Sequence, residues 1–110
     1  MEETILYVLY SQKYHAVKIG IADISNSRYK AHRAKGWEIV AYWHFFERYK
    51  ARTVESLVLN TLRERHGYYL SKEQMPNGGY TETFDANKVT RRMIIRMVNK
   101  SIKSTHLDSI

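Results

Sequence analysis

Two strongly β-forming runs stand at the head of the chain with only a five-residue polar link between them. The first is Thr4–Tyr10, TILYVLY, and the second is Ala16–Gly20, AVKIG, with SQKYH joining them. Apolar, β-branched and aromatic runs bounded by polar residues read as strands. A link this short makes a turn, and the two strands pair as an antiparallel hairpin. The chain is thereby committed to an antiparallel sheet before any helix has formed.

The remaining segments supply what covers such a sheet. Ser25 or Asn26 can cap a helix running to about Lys35, and Gly36 ends it. Trp37–Phe46, dense in aromatics and β-branched residues, reads as a third strand. A second helix is expected from Ala51 to Arg65, stopped at Gly67. Tyr68–Gly79 contains the single proline and the pair Asn77-Gly78, so it reads as a loop. YTETF, Tyr80–Phe84, alternates like a short strand. Asp85 can cap a last helix over Ala86–Lys103, with the final residues frayed. The order β-β-α-β-α-β-α predicts an α+β fold, a small, mostly antiparallel central sheet flanked by helices. At 110 residues this is one domain. Residues 1–85 are its core, and 86–110 a basic amphipathic helix packed on it.

Charge narrows the partners. The net charge is +7 and the isoelectric point about 9.7. A whole domain this basic suits a polyanion, although a soluble protein can also simply be basic. The nine tyrosines suit base stacking and core packing alike. With no cysteine, disulfides, thiolate catalysis, zinc ribbons and iron–sulfur clusters are excluded. ILYVLY is too short for a signal peptide or a membrane span, so a soluble cytoplasmic protein without membrane contact is expected.

A few residues invite chemistry. Glu55 has apolar helical neighbours, Ala51, Val58, Leu59 and Leu62. A carboxylate on such a stripe must be paired, protonated or bound to a cation, unless its place in the first turn lets it reach water. Arg28 and His32 lie one helical turn apart. Arginine offers planar paired donors to a phosphate, and histidine can move a proton. Lys30, Arg33 and Lys35 surround them, so a solvated basic face, with Arg33 available to nucleic acid, is the alternative. Lys88, Arg92, Arg96 and Lys100 recur every four residues, forming a stripe that either tracks a phosphate backbone or is simply solvated. No phosphate-binding glycine loop, nucleophile elbow or metal-binding histidine pattern is present. His44 lies in an aromatic strand and reads as structural, although Tyr42 and His44 alternate to the other side of the third strand from its core residues.

Taken together these residues resemble the GIY-YIG nuclease superfamily over roughly Ile5–Phe84. The small branch reading KIG, found in phage and restriction-type proteins, is the nearest. ILYVLY matches the first motif, with Tyr7 at its tyrosine, and VKIG, Val17–Gly20, the second. Arg28 and His32 match the arginine and histidine of the family's first helix, and Glu55 its metal-binding glutamate. Ile5 replaces the usual glycine, Lys18 the second tyrosine, and Ala22 a common threonine or serine. The late residue of the site stays open among Asn77, Asn87 and Glu82.

The resemblance implies a divalent-metal-dependent endonuclease that hydrolyses DNA, duplex or branched, to 5′-phosphate and 3′-hydroxyl products. One Mg²⁺ or Mn²⁺ would sit on Glu55 and neutralise charge at the phosphate. Tyr7 would act as general base, Arg28 would stabilise developing charge, and His32 and Lys18 would hold the tyrosine or move protons. A monomer would nick one strand, and a homodimer would cut both. The competing reading is a catalytically silent nucleic-acid-binding or partner-binding protein on the same scaffold.

Overall fold

The computed structural model describes residues 3–23 and 28–108, excepting the side chains of 28, 29 and 105–108. The elements in order are β1 (Thr4–Ser11), β2 (Ala16–Asp23), α1 (Arg28–Ala34), β3 (Trp37–Phe45), α2 (Arg48–His66), a 3₁₀ turn (Tyr80–Glu82), β4 (Thr83–Asp85) and α3 (Arg91–Asp108). One sheet with strand order β3-β1-β2-β4 has every neighbouring pair antiparallel. This is the α+β architecture expected from the sequence, with the hairpin of β1 and β2 at its centre. The expected caps Ser25 and Asn26 lie outside the described residues.

β1 is buried on both faces, which is why it reads as a nearly continuous apolar run. Leu6 and Val8 face one way, joining Val17 and Ile19 of β2 beneath Val54, Val58, Leu59 and Leu62 of α2 and Ile94 and Val98 of α3. Ile5, Tyr7 and Leu9 face the other way, with Ala16 and Ala22 of β2, Trp37 of β3, and Leu70 and Met75 of the long segment after α2. α1 packs beside β3. β2's row on this second face is Ala16, Lys18, Gly20, Ala22: three small residues and one long cation. Small residues leave room above a sheet, and here the Tyr7 and Lys18 side chains occupy it.

Several boundaries differ from the expectation, the end of α3 at Asp108 rather than Lys103 among them. β2 does not end at Gly20 but continues to Asp23. α2 starts three residues before Ala51, at Arg48 behind an extended Glu47. Charged Arg48–Lys50 look loop-like, yet a first turn exposed to solvent needs no apolar residue. In YTETF only Thr83–Asp85 is strand, since Tyr80–Glu82 coils into the 3₁₀ turn. α3 begins at Arg91 rather than Ala86. Asp85 forms a turn, its Oδ1 accepting from the Asn87 amide, and Thr90 Oγ1 caps the helix by accepting from the Met93 amide. Lys88 is therefore off the helix, and the exposed cations on α3 itself include Arg92, Arg96 and Lys100. No helix among the described residues is long and apolar enough to cross a membrane.

One topological detail positions the site. β4 pairs only with Ala16–Lys18, so among the described residues the rest of β2, Ile19–Asp23, has no outer strand beside it. A cleft opens there.

Candidate active site

Tyr7 and Gly20 are cross-strand partners. Gly20 has no side chain, and the tyrosine ring lies over it. A Cβ at Gly20 would come within 2.7 Å of the Tyr7 hydroxyl and 3.1 Å of Lys18 Nζ. Real Cβ contacts are essentially never as short as the first of these, so a side chain here would displace the tyrosine, and the hydroxyl and the ammonium both lie above the glycine. Lys18 Nζ also lies 5.4 Å from the centroid of the Tyr7 ring, within cation–π range. Both side chains are buried.

A buried ammonium demands a counter-charge. Glu82 supplies it: Lys18 Nζ donates to Glu82 Oε1 at 3.0 Å. The register explains how. Lys18 is the cross-strand partner of Thr83, so Glu82 stands where β4 begins, beside Lys18. Gly79 makes the approach feasible. It has φ +87°, and a Cβ there would strike Lys18 Cε at 2.6 Å. Thr83 anchors the same junction, its Oγ1 donating to the Tyr80 carbonyl and accepting from the Leu70 amide. Arg63 of α2 holds the turn from the other side, donating through Nε to the Thr81 carbonyl at 2.8 Å.

Glu55 closes the cleft from the helix. Because α2 starts at Arg48, Glu55 is two turns inside the helix and not in its first turn. The solvent-reaching explanation for this carboxylate is thereby removed. Burial, and then the negative charge of Glu82, push its pKa up to about 7, against the pull of Lys18, Arg52 and Arg63. Arg48 and Arg52 precede Glu55 on one face of α2, at seven and three residues' distance. Arg48 donates to Asp23 Oδ1 at 2.6 Å, fixing the start of α2 to the end of β2. Tyr7, Gly20, Arg48, Arg52, Glu55 and Glu82 thus line one open cleft of about 190 Å³.

The expected site residues do not all gather here. Tyr7, Lys18 and Glu55 converge on the cleft. His32 is buried and lines a different cavity with Lys35, Trp37 and Asn77. Arg28 opens α1, and its side chain lies outside the described residues. Arg33 is exposed on α1. Arg92, Arg96 and Lys100 are exposed on α3, which covers the sheet face opposite Tyr7. Of the open late residues, Glu82 reaches the cleft, whereas Asn77 lines the His32 cavity and Asn87 bonds His15. His44 is exposed and not a packed structural residue.

Arg48, Arg52 and Arg63 are the cleft and support residues the sequence reading missed. A usable signal existed: with α2 begun at Arg48, the row Arg48, Arg52, Glu55 falls on one helical face. Starting the helix at Ala51 removed Arg48 from that face.

Among the described residues no group of three or more histidines, aspartates or glutamates could hold a metal ion. The cleft offers two carboxylates, Glu55 and Glu82, fewer than such a group needs. Mg²⁺ is commonly held by one or two carboxylates, with waters and substrate phosphate completing its shell. Burial and the charge of Glu82 disfavour the ionised form of the half-buried Glu55, and a cation beside it would favour that form.

Comparison with curated proteins and with solved structures gives no match. A family model does match, over residues 4–102, which takes in β1 through most of α3. The chain therefore belongs to the T5orf172 domain family, a family associated with phage and endonuclease-related proteins.

Proposed function

We propose that this protein is a GIY-YIG-type endonuclease that hydrolyses DNA phosphodiester bonds with one divalent cation. The observation that carries the reading is the meeting of Tyr7 and Lys18 over Gly20, in a cleft walled by Glu55 and flanked by Arg48 and Arg52. Family membership supports a role on nucleic acid.

Each residue has a task. The Tyr7 hydroxyl, beside the Lys18 ammonium, is placed to take a proton from an attacking water. Glu82 holds Lys18 in position beside Tyr7. Arg52, exposed at the mouth, and Arg48, tied to Asp23, offer planar donors to the phosphate oxygens. By the motif resemblance alone, Arg28 would add a further cation. Glu55 would hold Mg²⁺ or Mn²⁺, and that ion, when bound, supplies charge neutralisation at the scissile phosphate. His32 supports α1 from its own cavity, in place of the proton-moving role its motif position implies.

The test is plasmid conversion in Mg²⁺, with wild type beside Glu55→Gln and Tyr7→Phe. Wild type should nick or linearise supercoiled DNA, and each variant should be slower by about a hundredfold or more. If all three bind DNA and none cuts, the catalytic reading falls and a silent binding module stands in its place.

A further inference from the structure

β3 leaves aromatic rings uncovered on an edge of the sheet. Tyr42 is 62% exposed, and just past the strand Phe46 is 75% and Tyr49 63% exposed. His44 is exposed as well, its ring centroid 6.1 Å from that of Tyr42. These rings are not core residues, and none of them lines the cleft.

Their placement is informative. Tyr42 is the cross-strand partner of Tyr7, and Tyr7 that of Gly20. The three form one row across β3, β1 and β2 that ends in the cleft. At strand spacing, the Tyr42 backbone is roughly 10 Å from that of Gly20. His44 pairs with Ile5 and so shares the face of Tyr7. From His44 the chain passes Phe46 and Tyr49 and enters the first turns of α2, where Arg48 and Arg52 reach the cleft.

We propose that Tyr42 and His44, continued by Phe46, form a stacking platform for unpaired nucleobases of the strand whose phosphate enters the cleft. The preferred substrate is then single-stranded or branched nucleic acid, an inference that rests on the nuclease reading above. Exposed aromatic faces bind bases through their π-faces, which a continuous duplex keeps stacked inside. The adjoining cations Arg48, Lys50 and Arg52 match a phosphate backbone. A second copy of this chain is a poorer occupant, because two molecules of charge +7 would bring the same cationic helix starts together.

The experiment is fluorescence anisotropy in EDTA, so that cleavage plays no part, with a short oligothymidine and a blunt duplex of equal length. The proteins are wild type, Tyr42→Ala, Tyr42→Phe, His44→Ala and, as an exposed aromatic elsewhere, Tyr69→Ala. Tyr42→Ala and His44→Ala should each weaken single-strand binding about tenfold, with Tyr42→Phe, Tyr69→Ala and all duplex affinities within about twofold of wild type. Unchanged single-strand affinity in Tyr42→Ala, or an equal loss on both substrates, overturns the platform. So does a wild-type dimer in sedimentation velocity that Tyr42→Ala dissociates while single-strand affinity holds. Cleavage without the platform effect sinks only this inference, and a platform without cleavage sinks only the activity.

Discussion

The two faces of this sheet carry the same strands and do different work. On one, Leu6, Val8, Val17 and Ile19 meet α2 and α3 in an all-apolar layer. On the other, Tyr7, Lys18 and Gly20 lie among Ile5, Leu9 and Ala22, with a buried ion pair in the layer. Alternation along β1 and β2 sends neighbouring residues to opposite jobs. Packing against the helices and lining of the cleft are thereby separated by a single step along the strand.

That separation can be broken by mutation. Leu62→Ala on the helical face should cost about 2–5 kcal/mol, measured by urea unfolding, and leave cleavage per folded molecule unchanged. A fall in the rate of folded enzyme would mean the faces are coupled. Lys18→Met probes the other face. Removing one partner strands the Glu82 carboxylate, so the variant should lose about 3 kcal/mol. Cleavage per folded molecule should drop about a hundredfold as well, the scale of a lost proton-transfer partner. Gly20→Ala blurs the division, since its Cβ enters the space of the Tyr7 hydroxyl. It should destabilise by about 1–3 kcal/mol and also slow cleavage, whereas Gly36→Ala, with no neighbour within 4 Å, should lose only what its φ of +93° demands.

The smallest effect is a pH dependence. Glu55 titrates near 7 in the folded chain and near its ordinary 4.5 unfolded. Between those values the folded state holds the extra proton, so its raised pKa makes stability fall as pH rises through that window. Allowing for its partial exposure, the loss is about 2 kcal/mol. Urea unfolding in EDTA should show this slope in wild type relative to Glu55→Gln. Adding Mg²⁺ at pH 7 should restore part of it in wild type alone. Equal slopes in the two proteins would remove Glu55 from its half-buried place.

Much of this was legible in the chain. The five-residue link fixed the hairpin, and apolar periodicity located α2 and α3, because local pairing and amphipathic burial leave direct marks on sequence. Glu55 stood out because it interrupts an apolar stripe, whereas Tyr7 and Lys18 were named only through the motif resemblance. Glu82 was not distinguishable from Asn77 and Asn87, because its place depends on the register of β4 against Lys18, a long-range fact. His32 went to another cavity for a similar reason: helical spacing says which residues share a face, not what that face meets. Arg48 was lost to a helix start read too late, where charged residues in a solvent-facing first turn look like loop.

The two acids of the cleft hang from different supports. α2 carries Glu55 directly, whereas Glu82 is tied to β2 through Lys18 and through the strand that follows it, and α2 reaches its turn only by the Arg63 bond to the Thr81 carbonyl. The gap between the carboxylates is therefore set by the seat of the helix on the sheet. A shift of α2 over β2 would change that opening, one jaw travelling with the helix and the other staying with the strand.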